Sequence, residues 1–127
     1  AAFGAFEEFV GWARHRLFLS AVVVAELEAG ARSATARERL ETRFFAPLTR
    51  RGHVLAPTTD DWRRAGRILS VLGIPSPYAV RQNDTLLAVQ ARSQGWVVIT
   101  RDRDFDALRA HVAGLQVVAP FPAVPRT

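Results

Sequence analysis

Acidic residues at three places in this sequence could together hold a divalent metal ion. They are Glu26, Asp84, and the closely spaced Asp102, Asp104 and Asp106. The chain has no cysteine, so oxygen or imidazole would have to hold any metal, and its three histidines are too scattered to suggest a zinc site. Several carboxylates without a thiolate suit a hard cation such as Mg²⁺ or Mn²⁺. The residue types therefore indicate hard-cation chemistry, provided that the fold brings these positions together.

The stretch from Trp96 to Phe105 gives the clearest positional signal. Its first five residues predict a buried β-strand, and charged side chains follow abruptly, so Asp102 should stand just beyond the carboxyl end of that strand. In an open α/β sheet, ligands bind at this edge. Asp102, Asp104 and Asp106 also crowd the start of a helix, whose dipole favours anions and explains one or two of them without chemistry. The third is harder to explain in that way.

Glu26 and Asp84 each have a structural explanation beside the chemical one. The neighbours of Glu26 at helical spacing include Val22 and Val23, which would put its carboxylate on an apolar stripe. There it needs a cation or a partner, unless it extends to the surface. Asp84 precedes Thr-Leu-Leu and would make a good helix N-cap. The combination favours the metal interpretation, because acids from successive strand-helix units would meet at one edge of the sheet.

Other acidic residues have adequate structural roles on the surface. Their spacing predicts i,i+4 ion pairs between Glu28 and Arg32 and between Arg37 and Glu41. Asp60 and Asp61 stand where they would cap a helix. These carboxylates are therefore set apart from the metal-binding candidates.

Helical and strand patterns alternate along the chain. The predicted helices cover residues 2–16, 21–31, 35–51, 62–72, 84–93 and 104–113, and the predicted strands cover 17–20, 53–57, 96–100 and 115–119. Pro47 should kink or end the third helix, Gly73 should stop the fourth, and residues 74–82 should form a loop. Strands separated by helices imply parallel pairing with helices on both faces, so the fold class is α/β with three layers.

Length and composition are typical of one globular domain in residues 1–127, with an irregular Pro-rich tail at 120–127. No apolar run is long enough to span a membrane, and the absence of cysteine favours the cytoplasm. All 17 basic residues are arginine, and the net charge of +5 favours a polyanionic partner such as nucleic acid. A GC-rich genome would explain the arginine usage equally well.

Three motifs in order resemble the PIN-domain ribonucleases of the VapC toxin type. They are Ser-Ala-Val-Val-Val-Ala-Glu-Leu-Glu-Ala-Gly from Ser20 to Gly30, Asn-Asp-Thr-Leu-Leu-Ala from Asn83 to Ala88, and Ile-Thr-Arg-Asp-Arg-Asp-Phe from Ile99 to Phe105. Each motif alone is weak, but their order and spacing fit the family over nearly the whole chain. The resemblance implies a three-layer α/β/α PIN-like domain with a parallel sheet flanked by helices.

The resemblance also implies an activity, a site and partners. Glu26, Asp84 and Asp102 would be the catalytic, metal-binding carboxylates, and Asp104 an auxiliary metal ligand. Thr100 and Asn83 would support the site. The family implies a Mg²⁺- or Mn²⁺-dependent endoribonuclease, the toxin of a toxin-antitoxin pair, which forms a homodimer and is blocked by a cognate antitoxin. Such a protein would act in the cytoplasm.

One part of the family pattern has no counterpart here. The family opens with a strand that ends in an Asp, and nothing before Phe3 matches it. Because the sequence contains no methionine, we expect that this first strand and its acid have been truncated away. The three motifs named above would then supply the other acids of the site.

The chemistry of such a site predicts how it would cut RNA. Carboxylates would hold one or two divalent ions, which lower the pKa of a water molecule and stabilise charge on the scissile phosphate. Arg101 and Arg103 flank the site in sequence and could bind neighbouring phosphates, although surface solvation explains them equally well. Accessible single-stranded RNA is the expected substrate, because an A-form duplex resists base reading.

Other functions are also compatible with the sequence. A PIN-like module with an incomplete set of acids could bind RNA or protein without cutting. A structural protein could use an apolar helix over residues 2–10 mainly as a dimer surface. A DNA 5′-nuclease of similar fold is a further enzymatic possibility.

Overall fold

A computed structural model of the chain describes residues 8–9, 11–13, 15–73, 78–100, 102 and 104–119. Parallel strands alternate with helices, so the predicted α/β class is confirmed. In chain order the elements are β1 (Leu19–Ser20), α1 (Ala21–Gly30), α2 (Ala34–Leu40), a π-helical turn (Glu41–Phe45), α3 (Ala46–Arg50), β2 (Val54–Leu55), α4 (Thr59–Leu72), α5 (Tyr78–Gln94), β3 (Val97–Ile99), α6 (Asp104–Leu108) and β4 (Gln116–Val118). Within these residues, no helix combines the length and apolar character that crossing a bilayer requires.

The described residues form two compact units, one up to Ala56 and one from Pro57 onward. The expectation of a single domain stays a prediction. Of the first predicted helix, residues 8–9 and 11–13 are helical, residues 15–16 form a turn instead, and residues 2–7, 10 and 14 lie outside the described part of the chain. The predicted tail at 120–127 lies outside it as well.

In the first unit, β1 and β2 pair in parallel, with Leu19 opposite Val54. The sequence turns directly from β1 into α1 because the hydroxyl of Ser20 caps the helix, accepting from the amide of Val22 at 3.1 Å. Leu19, Phe45 and Leu48 form the buried core of this unit. The short strand is therefore held by apolar packing on one side and by the following helix at its end.

Pro47 is expected to kink or end the third predicted helix, and the helical path does not end there. The chain passes through the π-helical turn Glu41–Phe45 and continues as α3, with Pro47 in its first turn. Proline has no amide hydrogen to donate and its ring crowds the preceding turn. The wider turn, in which the amide of Ala46 donates to the carbonyl of Glu41, accommodates the ring, and the helical path continues to Arg50.

The predicted ion pairs of this unit are replaced by a different one. Arg37 places its Nε 3.7 Å from Oε2 of Glu28 and donates from Nη2 to the carbonyl of Ala31 at 2.9 Å. The predictions that Glu28 pairs with Arg32 and Arg37 with Glu41 are therefore wrong. The turn between α1 and α2 brings Arg37 back toward the end of α1, where its guanidinium also binds the carbonyl of the C-cap residue Ala31.

In the second unit, α4 begins at Thr59, three residues earlier than predicted, with Thr58 as its N-cap. Thr58 and Asp61 form a capping box, in which each side chain accepts from the backbone amide of the other at 3.0 and 2.9 Å. Asp61 is buried, against the surface role expected for it, and its Oδ1 lies 3.1 Å from the hydroxyl of Ser93 on α5. Gly73, with φ of 61°, ends α4 as predicted.

Helix α5 also begins earlier than predicted. Residues 78–82 are helical instead of forming a loop, and residues 74–77 lie outside the described part. Asp84 is the seventh residue of α5, so the N-cap explanation for it is wrong. Thr85, Leu86, Val89 and Gln90 are fully buried, which makes α5 the central helix of this unit, packed against α4, β3 and α6.

Strands β3 and β4 pair in parallel, with Val98 opposite Val117. Beyond the strand, the amide of Thr100 donates to the carbonyl of Val118 at 3.2 Å, so the ladder continues to the residue before the acidic segment. The predicted strands at 96–100 and 115–119 are confirmed, each with one residue fewer at either end. Asp102 accordingly follows the carboxyl end of a paired strand.

The turn before β4 supplies a stability prediction. Gly114 has φ of +82°, and a Cβ there would lie 2.6 Å from Nε of Arg92, which donates to the carbonyl of Ala113 at 2.8 Å. We expect Gly114→Ala to lower the free energy of unfolding by more than about 1 kcal/mol, because the backbone is strained and the Arg92 contact is displaced.

Urea unfolding monitored by circular dichroism measures this effect. Gly66→Ala is the matched control, since Gly66 lies inside α4 with no neighbour near its added Cβ. That variant should gain about 0.5–1 kcal/mol in the free energy of unfolding. Equal unfolding midpoints for the two variants would contradict the assigned role of Gly114.

Candidate metal centre

Three carboxylates of the second unit converge beside the end of β3. One oxygen each from Asp84, Asp102 and Asp104 lies within 4.8 Å of the other two. Asp84 and Asp104 are half-buried and Asp102 is exposed. The acids come from the interior of α5, from the segment after β3 and from the first residue of α6. Asp84 is thus brought together with two acids that follow it by 18 and 20 residues, at the carboxyl edge of a parallel strand pair.

The donor set fits a hard divalent cation. All three donors are carboxylate oxygens, and no histidine belongs to the group among the residues described. Oxygens bound to one octahedral Mg²⁺ at 2.0–2.1 Å stand about 2.9 Å apart when adjacent and about 4.2 Å apart when opposite. The observed limit of 4.8 Å is therefore within small side-chain rotations of that range. Three mutually repelling carboxylates at this spacing also favour a neutralising cation.

Backbone hydrogen bonds set the position of Asp102. Its amide donates to Oγ1 of Thr100 at 3.0 Å, and its own Oδ1 accepts from the amide of Asp104 at 2.9 Å. Both hydrogen bonds directly follow the last bond of the strand ladder, which the amide of Thr100 donates to the carbonyl of Val118. Thr100, for which the resemblance implied a supporting role, thus contacts the backbone of Asp102 and fixes the exit of the chain from the sheet.

Asp104 and Asp106 open the short helix α6, but only Asp104 belongs to the group. Phe105 and Leu108, both 3% exposed, hold α6 against the rest of the unit. Asp106 is on the outer side, with Oδ1 4.0 Å from Nη1 of Arg109 and its side chain 67% exposed. Of the three acids that are close in sequence, Asp102 and Asp104 therefore converge with Asp84, and Asp106 lies on the surface.

Asp84 is held by the most buried part of the unit. The next two residues along α5, Thr85 and Leu86, are 1% and 0% exposed. Oγ1 of Thr85 has no hydrogen-bond partner within the described residues. Sequence reasoning passed over Thr85 and selected Asn83, which is exposed. The packing of these two neighbours in the core, which the sequence alone does not reveal, holds the Cα of Asp84 in place.

The other candidate residues are placed less centrally or are not described. Glu26 lies on α1 in the first unit with an exposed side chain, in keeping with the alternative that its carboxylate extends to the surface. Its role as a metal ligand stays a prediction. Arg101 and Arg103 lie outside the described residues. His15 and His111 are exposed, and Nδ1 of His53 is 3.0 Å from the carbonyl of Leu17, in keeping with structural roles.

The sequence matches the family model of the PIN domain over residues 4–110, which is most of its length. The chain belongs to the PIN domain family. The resemblance inferred from the three motifs is thereby confirmed at the level of the family. PIN domains are generally metal-dependent nucleases, and the acidic group formed by Asp84, Asp102 and Asp104 agrees with that chemistry.

A solved structure supports the PIN fold of this chain. The structure described as FitAB bound to an IR36 DNA fragment aligns with a TM-score of 0.60 at 20% sequence identity. The alignment covers 93% of this chain and 85% of the other. No curated protein matches this PIN domain significantly. At this identity the structural likeness concerns the fold alone.

Proposed function

We propose that this PIN domain is a metal-dependent endoribonuclease that hydrolyses phosphodiester bonds of RNA. The observation that carries the proposal is the convergence of Asp84, Asp102 and Asp104 at the carboxyl edge of β3. Membership in a family of metal-dependent nucleases supports it. The three oxygen donors favour Mg²⁺ or Mn²⁺ as the cofactor.

Each acid would have a defined part in holding the cofactor. Asp84 and Asp104 supply half-buried carboxylates, and Asp102 supplies an exposed one that a substrate phosphate can approach. Thr100 orients Asp102 through the hydrogen bond to its amide. When bound, the divalent ion would lower the pKa of a water nucleophile and balance the charge that develops on the phosphate. The resemblance to VapC toxins also implies Glu26 as a metal ligand.

Single-stranded RNA is the proposed substrate class. A cluster with one exposed carboxylate, Asp102, can receive a phosphodiester whose neighbouring bases are unstacked, whereas an A-form duplex holds its bases in a deep, narrow groove. Arg101 and Arg103 adjoin Asp102 in sequence and are proposed to bind flanking phosphates. The net charge of +5 would raise the rate of encounter with a polyanion.

The likeness of the three motifs to VapC toxins supports a role as the toxin of a toxin-antitoxin pair. We propose a cognate antitoxin as the protein partner, a homodimer as the assembly, and the cytoplasm as the place of action. FitAB, whose fold the chain shares, is described as bound to DNA. DNA is accordingly included as a competing substrate in the test.

Cleavage of labelled RNAs tests the proposal directly. Wild-type protein should cut a panel of structured RNAs, within their single-stranded segments, in Mn²⁺ or Mg²⁺ and leave them intact in EDTA. Single-stranded DNA of the same sequence should be cut more slowly. Intact RNA in every metal, from protein that circular dichroism shows to be folded, would favour the binding module instead. Faster cutting of DNA would assign the site to a DNA nuclease.

A further inference from the structure

Helix α4 presents three arginines on the face opposite its buried side. Asp61, Ala65 and Leu69 are the buried residues of the helix. Arg63, Arg64 and Arg67 are all exposed. Because residues three and four apart are neighbours on a helix, Arg67 stands beside both of the others, and the three guanidinium groups share one surface. We name Arg63, Arg64 and Arg67 the arginine face.

The fold itself does not explain this concentration of charge. None of the three arginines forms an ion pair in the part of the chain that the structure describes. The last turn of α4, where cations would favour the helix dipole, contains no basic residue. Like charges three and four residues apart each cost a few tenths of a kcal/mol in an isolated helix, about 0.2–0.5 kcal/mol. The arginine face therefore fits an external anion better than an internal partner.

Trp62 adds an aromatic surface on the neighbouring flank of α4, about 100° around the helix from Arg63. Its side chain is 47% exposed, although tryptophan is usually highly buried. An exposed aromatic ring beside a row of cations is the combination that single-stranded nucleic acids bind, since the cations follow the phosphates and a base stacks on the ring. Arginine forks also match phosphate oxygens better than point charges do.

We propose that the arginine face of α4 binds single-stranded RNA, with Arg63, Arg64 and Arg67 on phosphates and Trp62 against a base. Arginine is also enriched in protein interfaces, so an acidic protein is the competing occupant of this face and is included in the test. The choice of RNA as the nucleic acid rests on the proposed function. The arginine face would bind the part of a longer RNA strand that extends beyond the acidic cluster.

The arginine face and Asp84 lie on two helices of the second unit that pack against each other. Helix α4 packs along α5, which carries Asp84, and the buried carboxylate of Asp61 lies 3.1 Å from the hydroxyl of Ser93 on α5. Both helices thus belong to one packed pair. RNA held on the outer side of α4 would be positioned by the same unit that contains the acidic cluster.

Binding in EDTA separates this proposal from cleavage. The probe is a fluorescein-labelled single-stranded RNA of 20 nucleotides, followed by fluorescence anisotropy at several salt concentrations. For single strands, the slope of log K against log salt changes by about 0.7 for each phosphate contact. The triple variant Arg63→Gln, Arg64→Gln, Arg67→Gln should therefore have a slope smaller by about 2, with weaker binding at every salt concentration. Trp62→Ala should weaken binding about 5- to 150-fold.

A control of equal charge tests whether the position of the arginines matters. Arg32, Arg39 and Arg50 are exposed in the first unit, so replacing all three by glutamine removes the same charge elsewhere. That control should retain most of the wild-type slope. Thermal unfolding of both triple variants checks that they are folded, and Arg63→Lys, Arg64→Lys, Arg67→Lys provides a second, charge-retaining series that should keep the slope.

The outcomes are distinct from those of the nuclease assay. Unchanged binding by the glutamine variant of α4, or an equal loss in the control, would overturn the arginine face. Equal competition by polyglutamate would assign the face to an acidic protein and overturn the RNA proposal, and no binding by wild type would also overturn it. Whether the wild-type protein cleaves RNA in Mn²⁺ tests the proposed nuclease activity separately. RNA binding through α4 without cleavage would leave the arginine face supported and refute the nuclease.

Discussion

Asp102→Asn is expected to reduce metal-dependent RNA cleavage by at least about 100-fold, the effect of losing several kcal/mol of transition-state stabilisation. Asparagine keeps the shape of aspartate, and its Oδ1 can still accept from the amide of Asp104, as Asp102 does at 2.9 Å. The substitution therefore preserves the local turn and removes one negative charge from the three-carboxylate group. Initial cleavage rates at a fixed Mn²⁺ concentration measure the effect.

Asp106→Asn provides the matched control on the same segment. Asp106 is exposed, pairs weakly with Arg109 and lies outside the group of three acids. Its variant should cleave within about twofold of wild type, because a surface ion pair contributes at most about 1 kcal/mol to stability. Mn²⁺ should also raise the unfolding temperature of Asp106→Asn more than that of Asp102→Asn. Equal loss of cleavage in both variants would contradict the assignment of Asp102 as a ligand.

Leu86→Ala is expected to lower the free energy of unfolding by about 2–5 kcal/mol, since the change leaves a cavity in a packed interior. Leu86 is 0% exposed and lies in the central helix α5. Natural domains are stable by only about 5–15 kcal/mol, so this loss is a large fraction of the total. Urea unfolding followed by circular dichroism at 222 nm measures it through the shift of the midpoint.

Val71→Ala serves as the control for Leu86→Ala. Val71 is 75% exposed on α4, so the same kind of truncation there should change the free energy of unfolding by no more than about 0.5 kcal/mol. A midpoint for Leu86→Ala as close to wild type as that of Val71→Ala would show that α5 is not the central packing element. It would also remove the reason to expect that core packing fixes the backbone position of Asp84.

These two expectations meet in helix α5. The same helix buries Leu86 in the core and presents Asp84 to the acidic group, two residues apart. A metal ligand on a well-packed helix stays within the small tolerance that coordination needs, which a loop would not guarantee. Variants that loosen α5 should therefore weaken metal binding as well as stability, even where they leave all three carboxylates in place.

Local sequence signals were sufficient for the elements that end or begin on specific residues. Gly73 supplies the left-handed conformation that terminates α4, and Ser20 caps α1 through its own hydroxyl. The apolar run before Thr100 forms a paired strand, so Asp102 stands beyond its carboxyl end as predicted. Each of these features depends on residues within a few positions of one another.

Helix boundaries and partners were predicted less well, because contacts distant in sequence decide them. Residues 78–82 are helical where the sequence pattern predicts a loop, and only with a loop there would Asp84 stand at the position of a cap. Asp61 looked like a surface cap, but the packing of α4 on α5 buries it against Ser93. The capping box that Thr58 and Asp61 form was visible in their spacing of three residues, whereas the burial was not.

The sequence by itself determined the α/β class, the parallel strands, the family and the candidate acids Glu26, Asp84, Asp102 and Asp104, because hydrophobic period and motif order are properties of the chain. The tertiary structure alone decided which carboxylates lie within 4.8 Å of one another, that Asp106 stays on the surface, and that Glu26 is exposed. It also decided that the arginines of α4 share an outer face. Distances and exposure depend on how helices and strands pack, and packing is set by side chains far apart in sequence.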